Sequence, residues 1–146
     1  MKSALLQAIL LSALAAAVAA AAFQFHPRAP ALYLVQEPLK ADEVGLKKIQ
    51  ERWKGDVIWL DARPKEQFEA EHVPGALLLN EQEFDVQLLG MLDIIQAATK
   101  PIIIYCGGQK CEASRHVREK LHAMVPVEDC YILKGGWPAW KAGQGR

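Results

Sequence analysis

A cysteine followed by two glycines stands at the end of the most apolar predicted strand of the chain. Ile102–Tyr105 precedes Cys106, and Gly107 and Gly108 follow it before a helix that is predicted to begin near Glu112. Glycines let the backbone turn so that successive N–H groups point at one spot, and the positive end of the helix points at the same spot. Because both effects stabilise an anion, they favour the thiolate at neutral pH. These residues predict a reactive Cys106, and a buried structural cysteine is the alternative.

A second cysteine, Cys111, lies in the same predicted loop. It is close enough in sequence to Cys106 for a disulfide if the geometry allows one, and outside the cytoplasm such a bond would mask the Cys106 thiol. Cys111 can instead act as a resolving thiol, or it can be a small apolar residue that packs the helix start. Cys130 is predicted to be a buried structural thiol. The cysteines and histidines show no metal-ligand spacing, so neither a metal site nor a cofactor is predicted.

Short apolar strands alternate with helical stretches along the chain. Such alternation predicts an α/β fold, in which a parallel sheet has helices on both faces. In sheets of this kind, chemistry collects at the carboxyl ends of the strands, which places Asp61 and Arg63 near Cys106. The predicted strands are Ala31–Val35, Val57–Leu60, Ala76–Leu79, Ile102–Tyr105 and Tyr131–Leu133. Four helices are predicted: the first carries Leu46, Ile49 and Trp53, the second Phe68, the third Phe84, Leu88, Leu92 and Ile95, and the fourth Val117 and Leu121.

The first 25 residues form an alanine-rich apolar segment, and residues 4–25 carry no charge. Three interpretations compete: a membrane anchor, a cleaved secretory signal that follows Lys2, and a buried core helix. The first two interpretations place the rest of the chain outside the cytoplasm, in a periplasm or cell envelope. Residues 26–40, with three prolines, are predicted to be a tether that includes the first strand, and residues 41–146 are the remainder of the domain.

Composition limits the function classes that remain. The 146 residues allow one domain of ordinary size, and 17 basic side chains balance 17 acidic ones. Without net charge or a basic block, a surface that follows nucleic-acid phosphates is not expected.

Four groups of residues resemble the rhodanese domain family over residues of about 31 to 143. They occur in the family's order and spacing, which makes their combination specific although no single group is decisive. They are Leu60-Asp61-Ala62-Arg63 with Glu66 and Phe68; Glu71-His72-Val73-Pro74-Gly75-Ala76 with Asn80; Ile103-Ile104-Tyr105-Cys106 with Ser114; and Leu133-Lys134-Gly135-Gly136 with Trp140. The resemblance implies a parallel sheet of about five strands and sulfurtransferase activity.

In that family, the loop cysteine takes a sulfane sulfur from a donor and passes it to a thiophilic acceptor. The resemblance therefore implies that Cys106 is the nucleophile and carries a persulfide. The partners implied are small sulfur-containing anions such as thiosulfate, polysulfides, and protein or low-molecular-weight persulfides and thiols. Asp61 and Arg63 are expected to support the loop through a buried ion pair rather than to perform chemistry. The loop residues expected to cradle the persulfide through main-chain N–H groups are Gly107, Gly108, Gln109, Lys110 and Cys111.

Two features of the loop depart from the family pattern. Its only basic residue is Lys110, whereas sulfurtransferases of this family usually carry one or more basic residues that attract anionic donors. Glu112 stands where related cysteine phosphatases place an arginine, and a carboxylate there would repel a phosphoryl group. Phosphatase activity is therefore disfavoured, and neutral or protein-bound persulfides are favoured over thiosulfate as donors. An inactive or redox-sensing module that uses a Cys106/Cys111 pair is the alternative function.

Overall fold

The computed structural model of the chain describes residues 2–25, 38–108 and 112–144. The chain divides into two compact units, Met1–Glu37 and Pro38–Arg146. Of the tether and first strand expected at residues 26–40, residues 26–37 lie outside the described residues, as do Gln109, Lys110 and Cys111 of the loop.

The first unit contains one helix, α1 (Lys2–Phe25), among its described residues. The side chains of residues 6–19 are exposed within this unit. Within the described parts of the chain, no helix has both the length and the apolar character needed to cross a membrane. The membrane-anchor and signal interpretations therefore have no support from the structure, and a location outside the cytoplasm stays a prediction.

The second unit is built on a five-stranded sheet in which every described pairing is parallel. The strand order is β1-β5-β4-β2-β3, so that β4 is central. Ile102 pairs with Ile58 of β2 on one side and with Cys130 of β5 on the other. The strands are β1 (Glu43–Val44), β2 (Ile58–Asp61), β3 (Leu77–Leu78), β4 (Ile102–Tyr105) and β5 (Cys130–Leu133).

Helices cover both faces of this sheet, as the alternation of elements predicts. The two longest, α4 (Phe84–Gln96) and α5 (Glu112–Met124), bury their apolar stripes with Ile102 and Ile104 on one face. The opposite face packs Ile103 and Tyr105 against the remaining helices. These helices are α2 (Leu46–Trp53), α3 (Lys65–Ala70) and α6 (Gly136–Gln144).

Two elements differ from the sequence-based expectation. No strand was predicted at Glu43 and Val44, but these residues form an edge strand that pairs with Ile132 and Leu133, and the helix that carries Leu46, Ile49 and Trp53 begins at Leu46. No helix was predicted after the Gly135-Gly136 pair, but residues 136–144 form α6. In both cases, contacts with distant parts of the chain override the local pattern.

Candidate active site

Cys106 is the first residue after the central strand β4, and its side chain is 5% exposed. Side chains alternate along a strand, so Cys106 continues the face of Ile102 and Ile104, which is the face that α4 and α5 cover. Its side chain packs against Ile132 of the neighbouring strand β5. The cysteine is therefore held at the carboxyl edge of the sheet, between the strands and the first turn of α5.

Cys106 is disulfide-bonded in this structure. Its Sγ atom lies 3.2 Å from the carbonyl oxygen of Gly108. A disulfide sulfur has no proton to donate, so this is a contact in the present state and becomes a hydrogen bond only when the thiol is restored. Cys130 is free and buried, and burial raises the pKa of its thiol to about 12. Cys130 therefore behaves as the structural thiol that the sequence predicts.

The main chain of Cys106 is fixed by the start of α6, which the sequence analysis missed. The carbonyl oxygen of Cys106 accepts a 2.7 Å hydrogen bond from the Trp137 N–H. Gly136 has a φ of 54°, and a Cβ atom at this position would overlap the Cys106 carbonyl group. The signal in the sequence was the Gly135-Gly136 pair, because two successive glycines allow a close approach between backbones.

The two glycines that follow the cysteine have room for a Cβ atom. A Cβ atom at Gly107 would meet the Gln67 Oε1 atom at 3.6 Å and the Arg63 Cδ atom at 3.9 Å, which are ordinary contacts. A Cβ atom at Gly108 would meet nothing within 4 Å. The strict steric requirement for glycine thus lies at Gly136, across from the loop, and not at Gly107 or Gly108.

Asp61 and Arg63 form the buried ion pair that was expected beside the loop. The Arg63 Nη2 and Nε atoms donate to the Asp61 carboxylate over 2.7 to 3.1 Å, and Nη2 also donates to the Glu71 carbonyl oxygen at 2.7 Å. Burial alone would lower the pKa of Arg63, but its hydrogen bonds with Asp61 and the charge of that carboxylate raise it overall. The guanidinium is therefore a permanent cation whose Nε and Nη2 donors are engaged by the Asp61 carboxylate and the Glu71 carbonyl oxygen.

Arg63 also joins the aromatic side chains under the loop. Its guanidinium carbon lies 4.4 Å from the ring centroid of Trp137 and 5.5 Å from that of Tyr105. The Tyr105 hydroxyl oxygen accepts a hydrogen bond from the Val73 N–H at 3.1 Å, and burial raises the pKa of Tyr105, as does its hydrogen bond with Asp61. Through these contacts, the Asp61–Arg63 ion pair packs against Trp137 of α6 and against Tyr105, the last residue of β4. Both residues are next to the main chain of Cys106, because Tyr105 precedes it and the Trp137 N–H binds its carbonyl oxygen.

A second charged cluster lies on the β1 side of the sheet, and the sequence analysis did not single it out. The carboxylate of Glu43, whose side chain is 3% exposed, binds Arg115 of α5 at 3.3 Å and Lys134 at 3.1 Å. Arg115 also binds Asp42 at 3.2 Å. Burial raises the pKa of Glu43, but the Lys40 N–H and the Lys134 and Arg115 side chains outweigh it, so the pKa is lowered overall. This cluster ties the first turn of α5 to the edge of the sheet.

An open hollow of about 270 Å³ lies on the α4 and α5 side of the carboxyl edge. Its lining residues come from the segments after β2 and β3 and from the first turn of α5. Asn80 joins the two segments that follow β2 and β3 at the edge of this hollow, because its side chain donates to the Arg63 carbonyl oxygen at 3.4 Å and accepts from the Glu83 N–H at 3.1 Å. The lining residues are Ala62, Pro64, Asn80, Glu81, Gln82 and Ala113.

Comparisons with known proteins agree with this architecture. A family model described as the rhodanese-like domain matches residues 46–143. No curated protein matches the chain. Among solved structures, a Bacillus halodurans protein, BH2092, is 20% identical with a TM-score of 0.57, and the alignment covers 70% of this chain and 72% of that one.

Two further structures share the fold. Thiosulfate sulfurtransferase from Pseudomonas aeruginosa is 21% identical with a TM-score of 0.56, and the match covers 74% of this chain but only 19% of that much longer one. A rhodanese-related protein from Thermoplasma volcanium is 16% identical with a TM-score of 0.52, over 69% of this chain and 91% of that chain. At these identities the structures establish the fold, and the family match over most of the chain establishes more: the chain belongs to the rhodanese-like domain family.

Proposed function

We propose that this chain is a sulfurtransferase of the rhodanese type and that Cys106 carries the sulfane sulfur as a persulfide. The observation that supports this most strongly is the setting of Cys106. It lies at the tip of the central strand, before the N-terminus of the 13-residue helix α5, and the Trp137 N–H fixes its carbonyl group. A helix N-terminus favours an anion, which both a thiolate and a persulfide anion are.

The reaction has two steps, each of which exchanges one sulfur–sulfur bond for another. The Cys106 thiolate attacks the sulfane sulfur of a donor, a bond forms between the two sulfur atoms, and the remainder of the donor leaves with the electron pair of the broken bond. An acceptor thiolate then attacks the outer sulfur of the persulfide, and the Cys106 thiolate leaves. No external oxidant or reductant is consumed, because the sulfane sulfur only changes its partner.

The charges at the loop favour some donors over others. Glu112 is exposed in the first turn of α5, and the guanidinium of Arg63 is engaged by Asp61 and a main-chain carbonyl. A dianionic donor such as thiosulfate is therefore repelled by the carboxylate and gains little from Arg63. We expect neutral low-molecular-weight persulfides and protein-bound persulfides to load Cys106 faster than thiosulfate does.

Intact mass spectrometry of the full chain tests the proposal. The protein is reduced, freed of reductant and incubated with thiosulfate or polysulfide, and Cys106→Ser is treated in parallel. The expected result is a gain of about one sulfur mass that reductant removes and that Cys106→Ser does not acquire. If the reduced protein acquires no sulfur from any donor, it is not a sulfurtransferase.

The disulfide at Cys106 favours a second candidate function, a redox-sensing module. Since Cys130 is free, we propose Cys111 as the partner of Cys106. In the disulfide form, Cys106 has no thiolate with which to attack a donor, so reduction must precede the first transfer. Loading of the unreduced protein at the same rate as the reduced protein would contradict this gating.

The variant Cys111→Ser separates the two roles of the second cysteine. If Cys111 is the disulfide partner or a resolving thiol, the variant loads without prior reduction and its turnover with a thiol acceptor changes. If Cys111 only packs the helix start, the dependence on reductant is unchanged and only a small change in unfolding free energy is expected.

A further inference from the structure

The disulfide at Cys106 identifies a thiol that can reach the Cys106 sulfur. Cys106 is disulfide-bonded and Cys130 is free, so Cys111, the third cysteine of the chain, is the residue left to form this bond. Two thiols that can form a disulfide are also close enough for one to attack a sulfur bound to the other. A persulfide on Cys106 therefore has a nucleophile of the same chain within reach.

A persulfide has two sulfur atoms, and the atom that is attacked decides the product. Attack on the outer sulfur transfers it to the attacking thiol, whereas attack on the inner sulfur expels the outer one as hydrosulfide. The inner sulfur of a Cys106 persulfide is the Cys106 Sγ atom, which is the atom bonded in the disulfide. Attack by Cys111 at the atom to which it bonds therefore releases hydrosulfide.

An external thiol has a poorer approach to the same atom. Cys106 is 5% exposed, its side chain packs against Ile132, and the carbonyl oxygen of Gly108 lies 3.2 Å from its Sγ atom. The exposed carboxylate of Glu112 in the first turn of α5 also repels an incoming thiolate. A thiol of the same chain is already held near its target, so it needs no encounter from solution.

The position of Cys111 in the sequence favours it as the attacking thiolate. It directly precedes Glu112, the first residue of the 13-residue helix α5. A helix N-terminus stabilises a negative charge, so it favours a thiolate at this position. Cys130 cannot take this role, because it is buried and burial raises the pKa of its thiol to about 12.

We propose that Cys111 resolves the Cys106 persulfide, so that the chain reduces the sulfane sulfur and releases it as hydrosulfide. The inference rests on the proposed function, because the persulfide must form first. The Cys111 thiolate attacks the inner sulfur, a bond forms between the two cysteine sulfurs, and the outer sulfur leaves with its proton and the electron pair of the broken bond. The two cysteine sulfurs are oxidised and the sulfane sulfur is reduced, so this step consumes no further reactant.

The disulfide form in the structure is the product of this step. A dithiol from solution returns it to the reduced form by two thiol–disulfide exchanges, in which the dithiol becomes a disulfide. Without a dithiol, each chain releases one hydrosulfide and stops. Sulfur transfer to an external acceptor and internal resolution therefore compete for the same persulfide.

The test follows sulfur on the chain and sulfide in solution during one turnover. The full chain is reduced, freed of reductant under anaerobic conditions and incubated with benzenethiosulfonate, a singly charged donor whose leaving group is a sulfinate. Any sulfide in the solution then comes from the transferred sulfur. Intact mass of acid-quenched samples reports the state of the chain, and monobromobimane traps the sulfide in parallel samples.

The unaltered chain should first gain about one sulfur mass, then fall to two hydrogens below the reduced mass, with about one sulfide released per chain. Cys111→Ser should keep the added sulfur and release less than about a tenth as much sulfide, because its resolving thiol is gone. Dithiothreitol should then free that sulfur, which shows that the variant is loaded. Cys111→Ala is measured in parallel, so that the result does not depend on the serine hydroxyl.

Cys130→Ala is the matched control, because it removes a cysteine that is outside the disulfide, and it should release sulfide as the unaltered chain does. Equal sulfide release from the unaltered chain and both Cys111 variants overturns the inference. A stable persulfide on the unaltered chain, without disulfide or sulfide, also overturns it but leaves the sulfurtransferase activity standing. If neither the unaltered chain nor the Cys111 variants acquire or release the sulfur, the proposed function fails and the inference fails with it.

Discussion

Replacing Gly136 by alanine is expected to damage the reactive loop although the residue lies thirty positions from Cys106. Alanine at a φ of 54° is strained, which costs about 1–2 kcal/mol. Its Cβ atom would overlap the Cys106 carbonyl group, so the loop or α6 must shift and the 2.7 Å hydrogen bond from the Trp137 N–H weakens. Losing that bond adds about 1 kcal/mol and the shift adds more, for a total of about 3–5 kcal/mol of unfolding free energy.

Gly75→Ala is the matched control, because it isolates the backbone strain. Gly75 has a φ of 78°, but a Cβ atom there would meet nothing within 4 Å. This substitution should therefore cost only the strain of about 1–2 kcal/mol. Urea unfolding followed by tryptophan fluorescence measures both variants, since all four tryptophans lie in the second unit.

The same pair of variants separates stability from chemistry. Displacing the Cys106 carbonyl moves the nucleophile, so Gly136→Ala should also acquire polysulfide sulfur about tenfold more slowly in its folded state. Gly75→Ala should load at the rate of the unaltered chain. Equal destabilisation of the two variants, together with equal loading rates, would show that Gly136 does not constrain the loop and that the steric reasoning is wrong.

Three further predictions concern buried polar groups. Asp61→Asn leaves the Arg63 charge buried without its partner and should lower the unfolding free energy in urea by about 3–5 kcal/mol; a loss below about 1 kcal/mol would contradict the pairing. Ser114→Ala should leave stability unchanged or raise it by about 1 kcal/mol, because the buried hydroxyl has no hydrogen-bond partner among the residues that the structure describes. With the thiol pKa raised to about 12, Cys130 should resist iodoacetamide at pH 8 until urea unfolds the chain; labelling of the native protein would refute its burial.

The central strand and the helix after the loop could be predicted because their signals are local. Ile102–Tyr105 is an unbroken apolar run bounded by Pro101 and the Cys106-Gly107 turn, and the structure places β4 at these residues. The helix predicted to begin near Glu112 is α5 (Glu112–Met124), and its buried residues Val117 and Leu121 repeat at helical spacing. Such patterns need no knowledge of the rest of the chain.

The elements that were missed depend on distant partners. Glu43 and Val44 are a strand only because Ile132 and Leu133, far along the chain, offer them a free edge of the sheet. The two glycines of α6 and Pro138 are residues that usually interrupt helices, so the sequence does not indicate a helix here. A proline is nevertheless compatible with the first turn of a helix, and Trp137 packs on the sheet.

The residues of the candidate site also differ in whether the sequence alone could predict their contacts. Asp61 and Arg63 are two residues apart, so their ion pair could be expected from the sequence. The contact of Gly136 with the Cys106 carbonyl group joins two loops that only the folded sheet brings together, so no local sequence pattern predicts it.

The hydrogen bond from the Trp137 N–H to the Cys106 carbonyl oxygen has a consequence for the order in which the protein is made. A chain is synthesised from its N-terminus, so Cys106 leaves the ribosome well before the segment that fixes it. The cysteine gains its setting only when α6 has been added and has docked beside Arg63. A chain that terminates before Gly136 carries the cysteine but not its support, so incomplete products are released without a positioned nucleophile.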